Sequence, residues 1–189
     1  MASLDFKKIG VAVLIFAAVI TVAVIVGVEA GNFYNERAAK QSRSDFTEYK
    51  LAQMQTLGVG GKLQDHTFEN LEGADVRLSD LVTDRAIVLF FDVACGSCLV
   101  ELEQMQTALA DSLRRRIILI SHDDRVDLQE ARTAYNIDAH ILWDQDNFYA
   151  HNLEINNRPF NVMIDSTLTI KKIVVGVMEG SEFSDFMSD

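Results

Sequence analysis

Residues 9–28, IGVAVLIFAAVITVAVIVGV, are apolar without a single charge. No other stretch narrows the folding options as far. At a helical rise of ~1.5 Å per residue the run matches a hydrocarbon core of about 30 Å, so it predicts a transmembrane helix. Lys7 and Lys8 precede it and Glu29 follows it. Positive charge stays on the cytoplasmic side. Residues 1–8 therefore read as a cytoplasmic N-terminus and 9–28 as the anchor. Everything from Glu29 onward lies outside the cytoplasm, at the inner membrane of a bacterium. The alternative is a signal peptide cleaved after Ala30. The run is longer than the apolar core of about 7–15 residues that such peptides carry. Both readings put the rest of the chain in the same oxidising compartment.

Beyond the anchor the chain is polar at first. Residues 29–60 read as a juxtamembrane helical stalk, with Phe46, Tyr49, Leu51, Met54 and Leu57 as a loose stripe, until Gly58-Val59-Gly60-Gly61 breaks the helix. Residues 61–189 then form one domain, in keeping with a chain of 189 residues. Strands are expected at 67–71, 76–78, 86–93, 117–121, 139–142, 160–164 and 169–177. Helices are expected at 97–113, 128–135 and 181–187. The run AIVLFFDV (86–93) is apolar except at Asp92, as expected of a strand buried on both faces. Strand–helix alternation closed by a hairpin and a last helix implies an α/β fold around a mixed sheet. The net charge of −11, from 17 basic and 28 acidic residues, argues against nucleic acid as a partner.

The chemistry concentrates at LFFDVACGSCLVELEQM, residues 89–105. A buried strand runs into Cys95-Gly96-Ser97-Cys98 and a helix opens there. Two thiols on the first helical turn can close a small ring. The first would lie where unpaired amides and the helix dipole favour a thiolate; the second would lie one turn inside, shielded. An exposed nucleophile and a buried resolving thiol are what thiol–disulfide exchange requires. Gly96 and Ser97 are small and leave Cys95 open. The other readings of the pair are half a zinc site and a structural disulfide. The first lacks further cysteines and a histidine cluster. The second would close a loop too short to constrain the unfolded chain much. The lone proline, Pro159, sits in the loop INNRP before an apolar strand. An X-Pro bond there can be cis, leaving the Arg158 backbone open to an extended substrate.

Residues 60–189 resemble the membrane-anchored thioredoxin-like proteins of the TlpA/ResA type, within the redoxin (AhpC-TSA) superfamily. The likeness is carried by Phe68–Gly73 with Leu78–Leu81 after it, by Cys98-Leu99-Val100-Glu101 after the first cysteine, and by PFNVMID from Pro159. It implies a thioredoxin-like fold with an N-terminal β-hairpin and a redox-active Cys95–Cys98 disulfide. It also implies Pro159 as a cis proline and the disulfide reduction of cytochrome c maturation. The implied partners are a disulfide-bearing protein, apocytochrome c among them, and a transmembrane electron donor; no cofactor and no metal are expected. The chain departs from the pattern at Ala94, where the family has Trp, at Glu103, where it has Pro, and at Arg158, where it has Thr or a small residue.

Glu101 is read either as tuning the Cys98 proton or as an acid near a helix N-terminus. Arg158 is expected to bring positive charge to Cys95. Arg114-Arg115-Arg116 reads as a cationic helix end, and His122-Asp123-Asp124 as plain surface. Two other functions are weighed. A thioredoxin-fold copper chaperone would use a wider cysteine spacing and a histidine. A peroxiredoxin-like peroxidase would need Pro and Thr before its cysteine, and Phe91–Ala94 offers neither.

Overall fold

The computed structural model of the chain describes the backbone of residues 6–52, 54 and 57–188, and the side chains of these from residue 16 to residue 187. Of the expected cytoplasmic segment 1–8, residues 1–5 lie outside the described residues. The chain falls into two compact units, the first ending at Ser42 and the second running Arg43–Asp189. Helix α1 spans Phe6–Leu51. The expected anchor at 9–28 and the expected helical stalk as far as Leu51 lie on this one helix. Phe16, Val19, Ile20, Val22 and Ile25 are exposed on it. Among the described residues α1 is the one helix long and apolar enough to cross a membrane. It ends at Leu51 rather than Leu57, because Leu57 is buried in the core of the second unit, with Leu51 and Met54 packed against that core.

The second unit is built on a mixed seven-stranded sheet. Its strands are β1 (Thr67–Asn70), β2 (Asp75–Arg77), β3 (Arg85–Phe90), β4 (Ile117–Ser121), β5 (His140–Trp143), β6 (Phe160–Asp165) and β7 (Ile170–Val175), in the order β2-β1-β5-β4-β3-β6-β7. β3, β4 and β5 are parallel; β6 and β7 run antiparallel at one side, and the β1–β2 hairpin closes the other. Successive side chains of a strand point to opposite faces. Ala86, Val88 and Phe90 therefore enter one core with Phe68, Tyr149 and Phe160. Ile87, Leu89 and Phe91 enter the other, beneath α3 (Gly96–Ala108) and α7 (Gly180–Ser188). Burial on both faces is what makes 86–91 a continuous apolar run.

The remaining helices are α2 (Leu78–Leu81), α4 (Asp111–Arg114), α5 (Arg125–Ala134) and α6 (Phe148–Leu153). The helix expected at 97–113 breaks after Ala108, where Leu109 turns extended. Arg114 folds back and donates to the carbonyls of Gln106 and Leu109, at 2.9 and 3.0 Å. A cation on the last carbonyls of a helix is favourable, so Arg114 serves a helix end, whereas Arg116 donates to the Arg85 carbonyl and to Asp84. The sequence reading missed α6. Buried Asp144 starts it by accepting from the amides of Phe148 (2.8 Å) and Tyr149 (3.2 Å).

Candidate active site

Strand register gathers the site. Phe90 at the end of β3 pairs with Ile120 of β4 and with Phe160 of β6, and Phe160 pairs with Val175 of β7. The residues just after Phe90, Ser121 and Val175, and just before Phe160, therefore meet at one end of the sheet. These are 91–95, 122–124, 176–178 and Arg158–Pro159.

β3 stops at Phe90, not Val93, because the next residues are held in a turn. The Asp123 carboxylate accepts from the Val93 amide at 2.6 Å and from the Ser121 hydroxyl at 2.9 Å. The Cys95 amide donates to the Asp92 carbonyl at 3.1 Å. Asp124 caps α5 through the Val126 amide. The expectation of plain surface at 122–124 is thus corrected. Two of the three residues are ties, and Asp123 fixes the approach to the cysteines.

Cys95 is the N-cap of α3. Its sulfur accepts from the Cys98 amide at 3.2 Å and lies 3.2 Å from the Ser97 hydroxyl. On reduction, donors so placed would stabilise a Cys95 thiolate. Cys95 is half-buried, Gly96 and Ser97 are exposed, and Cys98 is fully buried. The sulfurs are joined as a disulfide, with Cα atoms 5.2 Å apart.

Glu101 stands one helical turn beyond Cys98 and is fully buried. Its hydrogen bonds go to other segments rather than to the amides that open α3. Its Oε1 accepts from Asn161 Nδ2 at 2.9 Å and from the Met178 amide at 2.8 Å. Oε2 is buried without a hydrogen-bond partner. Burial pushes the Glu101 pKa up to about 8, against the pull of the two donors and of Arg43. Asn161 was legible as the one polar residue inside a strand buried on both faces. Met178 carried no such signal, since it contributes only its backbone.

The Arg158–Pro159 bond is cis, as expected, and buried Pro159 accepts through its carbonyl from the Gly176 amide at 2.9 Å. The Arg158 side chain behaves differently from expectation. Its Nε lies 3.6 Å from Asp92 Oδ1, and its Nη1 donates to the Ile155 carbonyl. Asp92 Oδ1 is also 3.4 Å from His122 Nδ1. Burial holds the Arg158 pKa below the usual value, opposed by the Asp92 charge. The positive charge expected to act on Cys95 is thus matched by Asp92. Among the described residues no group of three or more His, Cys, Asp or Glu is placed to hold a metal ion.

A model of the AhpC/TSA family matches residues 59–175. The chain belongs to the AhpC/TSA family. The matched segment contains Cys95, Cys98, Glu101 and Pro159. No curated protein matches the sequence. Among solved structures, one described as a thiol:disulfide interchange protein DsbE from Chlorobium tepidum aligns with a TM-score of 0.62 and 17% identity, over 70% of this chain and 96% of that one. The thioredoxin domain of thiol-disulfide oxidoreductase BVU-2223 from Bacteroides vulgatus aligns at 0.59 and 18%, over 70% and 96%. Peroxidoxin BcpB from Mycobacterium tuberculosis aligns at 0.59 and 15%, over 68% and 92%. At these identities the likeness concerns the fold: this AhpC/TSA chain is thioredoxin-like, a mixed sheet between helices with an N-terminal hairpin.

Proposed function

We propose that the chain is a thiol–disulfide oxidoreductase, held by residues 9–28 in the bacterial inner membrane with its α/β domain outside the cytoplasm. Its direction is reductive, as in cytochrome c maturation, with apocytochrome c as client. The observation that carries this reading is the asymmetry of the cysteines: Cys95 is half-buried at a helix N-cap with two donors on its sulfur, and Cys98 is buried one turn inside.

The reaction is a consequence of that asymmetry. The Cys95 thiolate attacks one sulfur of the client disulfide. A Cys95–client mixed disulfide forms, and the other client sulfur leaves as a thiolate and takes a proton. Cys98 then loses its proton and attacks the Cys95 sulfur. The Cys95–Cys98 disulfide forms and the second client thiol is released. The client gains two electrons and the pair loses two, to be restored by a transmembrane electron donor. Glu101, when ionised, is the base one turn from Cys98. Its buried position keeps its affinity for a proton high enough to take one near neutral pH. Pro159 and the Arg158 backbone border the groove for the client, with Gly96 and Ser97 at its floor.

The test is Cys98→Ser in the full chain. It should accumulate mixed disulfides through Cys95, because attack survives and resolution is lost. A variant that captures no client and reduces no model disulfide would sink the reading. Oxidation of Cys95 by peroxide faster than by any disulfide would move the assignment to a peroxidase.

A further inference from the structure

Four consecutive residues beside the redox pair are each held from outside their own segment. The Val175 amide donates to Thr47 Oγ1 at 3.1 Å. The Gly176 amide donates to the Pro159 carbonyl at 2.9 Å. The Val177 carbonyl accepts from Arg43 Nη1. The Met178 amide donates to Glu101 Oε1 at 2.8 Å. The holds alternate between the last turns of α1 and the candidate active site. Thr47 is buried, and the Arg43 guanidinium also pairs with Glu182 of α7 at 3.0 Å. These residues belong to a stretch whose sequence reads as solvated stalk.

We propose that Arg43 and Thr47 are positioning residues of the Cys95–Cys98 site, acting through residues 175–178 on Glu101 and Pro159. The inference rests on the oxidoreductase reading and adds to it a control exerted by the helix that continues from the anchor. The Met178 amide favours the ionised form of Glu101, and it is available only while 175–178 stays in place. Arg43 favours that form by its charge, and Glu182 opposes it. The Asn161 amide from β6 also faces Glu101, and Cys98 lies one turn before it on the same helix. The end of α1 thereby decides at which pH the carboxylate can take the Cys98 proton.

The experiment uses the full chain in detergent, with carbon-labelled glutamate tracked by NMR against pH. The Glu101 signal is assigned by its loss in Glu101→Gln. The reduction potential is read against glutathione over the same range. Arg43→Gln should move the Glu101 midpoint upward by about half a pH unit or more. The matching inflection in the potential should move with it, and Arg43→Lys should restore most of it. Glu182→Gln should move the midpoint downward. A purely structural contact would shift both variants the same way, so opposite signs support the inference. An unmoved midpoint, or one moved alike in both, overturns it. If Arg43→Gln does not fold, Glu182→Gln carries the test by its sign. A pair that never equilibrates with glutathione defeats the oxidoreductase reading; an unmoved Glu101 in a pair that does equilibrate defeats only this one.

Discussion

Glu101 is a carboxyl group whose proton the fold itself retains. Its usual pKa is 4.5, and burial raises it to about 8 in the folded chain. Between these values the unfolded chain has released the proton and the folded chain still holds it. Stability therefore declines as pH rises across that window and levels off above it. Glu101→Gln keeps an acceptor for Asn161 and Met178 and removes the titration. Denaturant unfolding at pH 5 and pH 9 should show the parent losing on the order of a few kcal/mol more than the variant. Equal losses would mean that Glu101 is ionised at neutral pH. Asp123 acts on geometry instead. Asp123→Ala leaves the Val93 amide and the Ser121 hydroxyl without their acceptor. It should cost about 1–3 kcal/mol in the same assay. It should also make Cys95 alkylation more variable with temperature, since the turn ahead of the cysteine is then untied.

Helices α3 and α7 pack directly on each other, and one glycine permits it. A Cβ on Gly180 would fall on the Cβ of Ala108. Gly180→Ala should lower the midpoint of thermal unfolding, with a loss of about 1–3 kcal/mol. Ala108→Gly in the same chain should recover part of it, which a helix-propensity effect alone would not produce. Such contacts mark the limit of what the sequence discloses. β3, β4 and β6 were readable because burial on both faces leaves an apolar run, interrupted inside β6 by Asn161 alone. The α3 N-terminus was readable because Cys-x-x-Cys comes directly after such a run. α6 was not, because its start depends on Asp144, a polar residue whose burial no local pattern reveals. Cys95, Cys98 and Pro159 were visible as residue types. The Met178 amide that bonds Glu101 and the Arg43 charge that acts on it were not, since one is a backbone group and the other sits on a remote helix. Asp92 was missed for the same reason, as its partners Arg158 and His122 are distant in sequence.

The sheet presents two edges; one is short and the other is tied at both ends. β2 has three residues, with Asp75 and Arg77 exposed. β7 is longer, yet it is lined by residues from earlier in the chain. Its Val175 amide goes to Thr47. The Ile170 amide and carbonyl bond with Gly61 and Gly60, and Thr169 bridges to Lys62. A free edge is a template for strand addition. A chain begun after Leu63 should therefore sediment as larger species with rising concentration, whereas one begun at Arg43 should not. Residues 43–62 also leave the ribosome well ahead of 170–175, and chains form N-terminal parts first. The lining is thus synthesised before the strand it lines. By the time β7 is made, the residues that tie its two ends have already been made, and neither end is left as a ready partner for another unfolded chain.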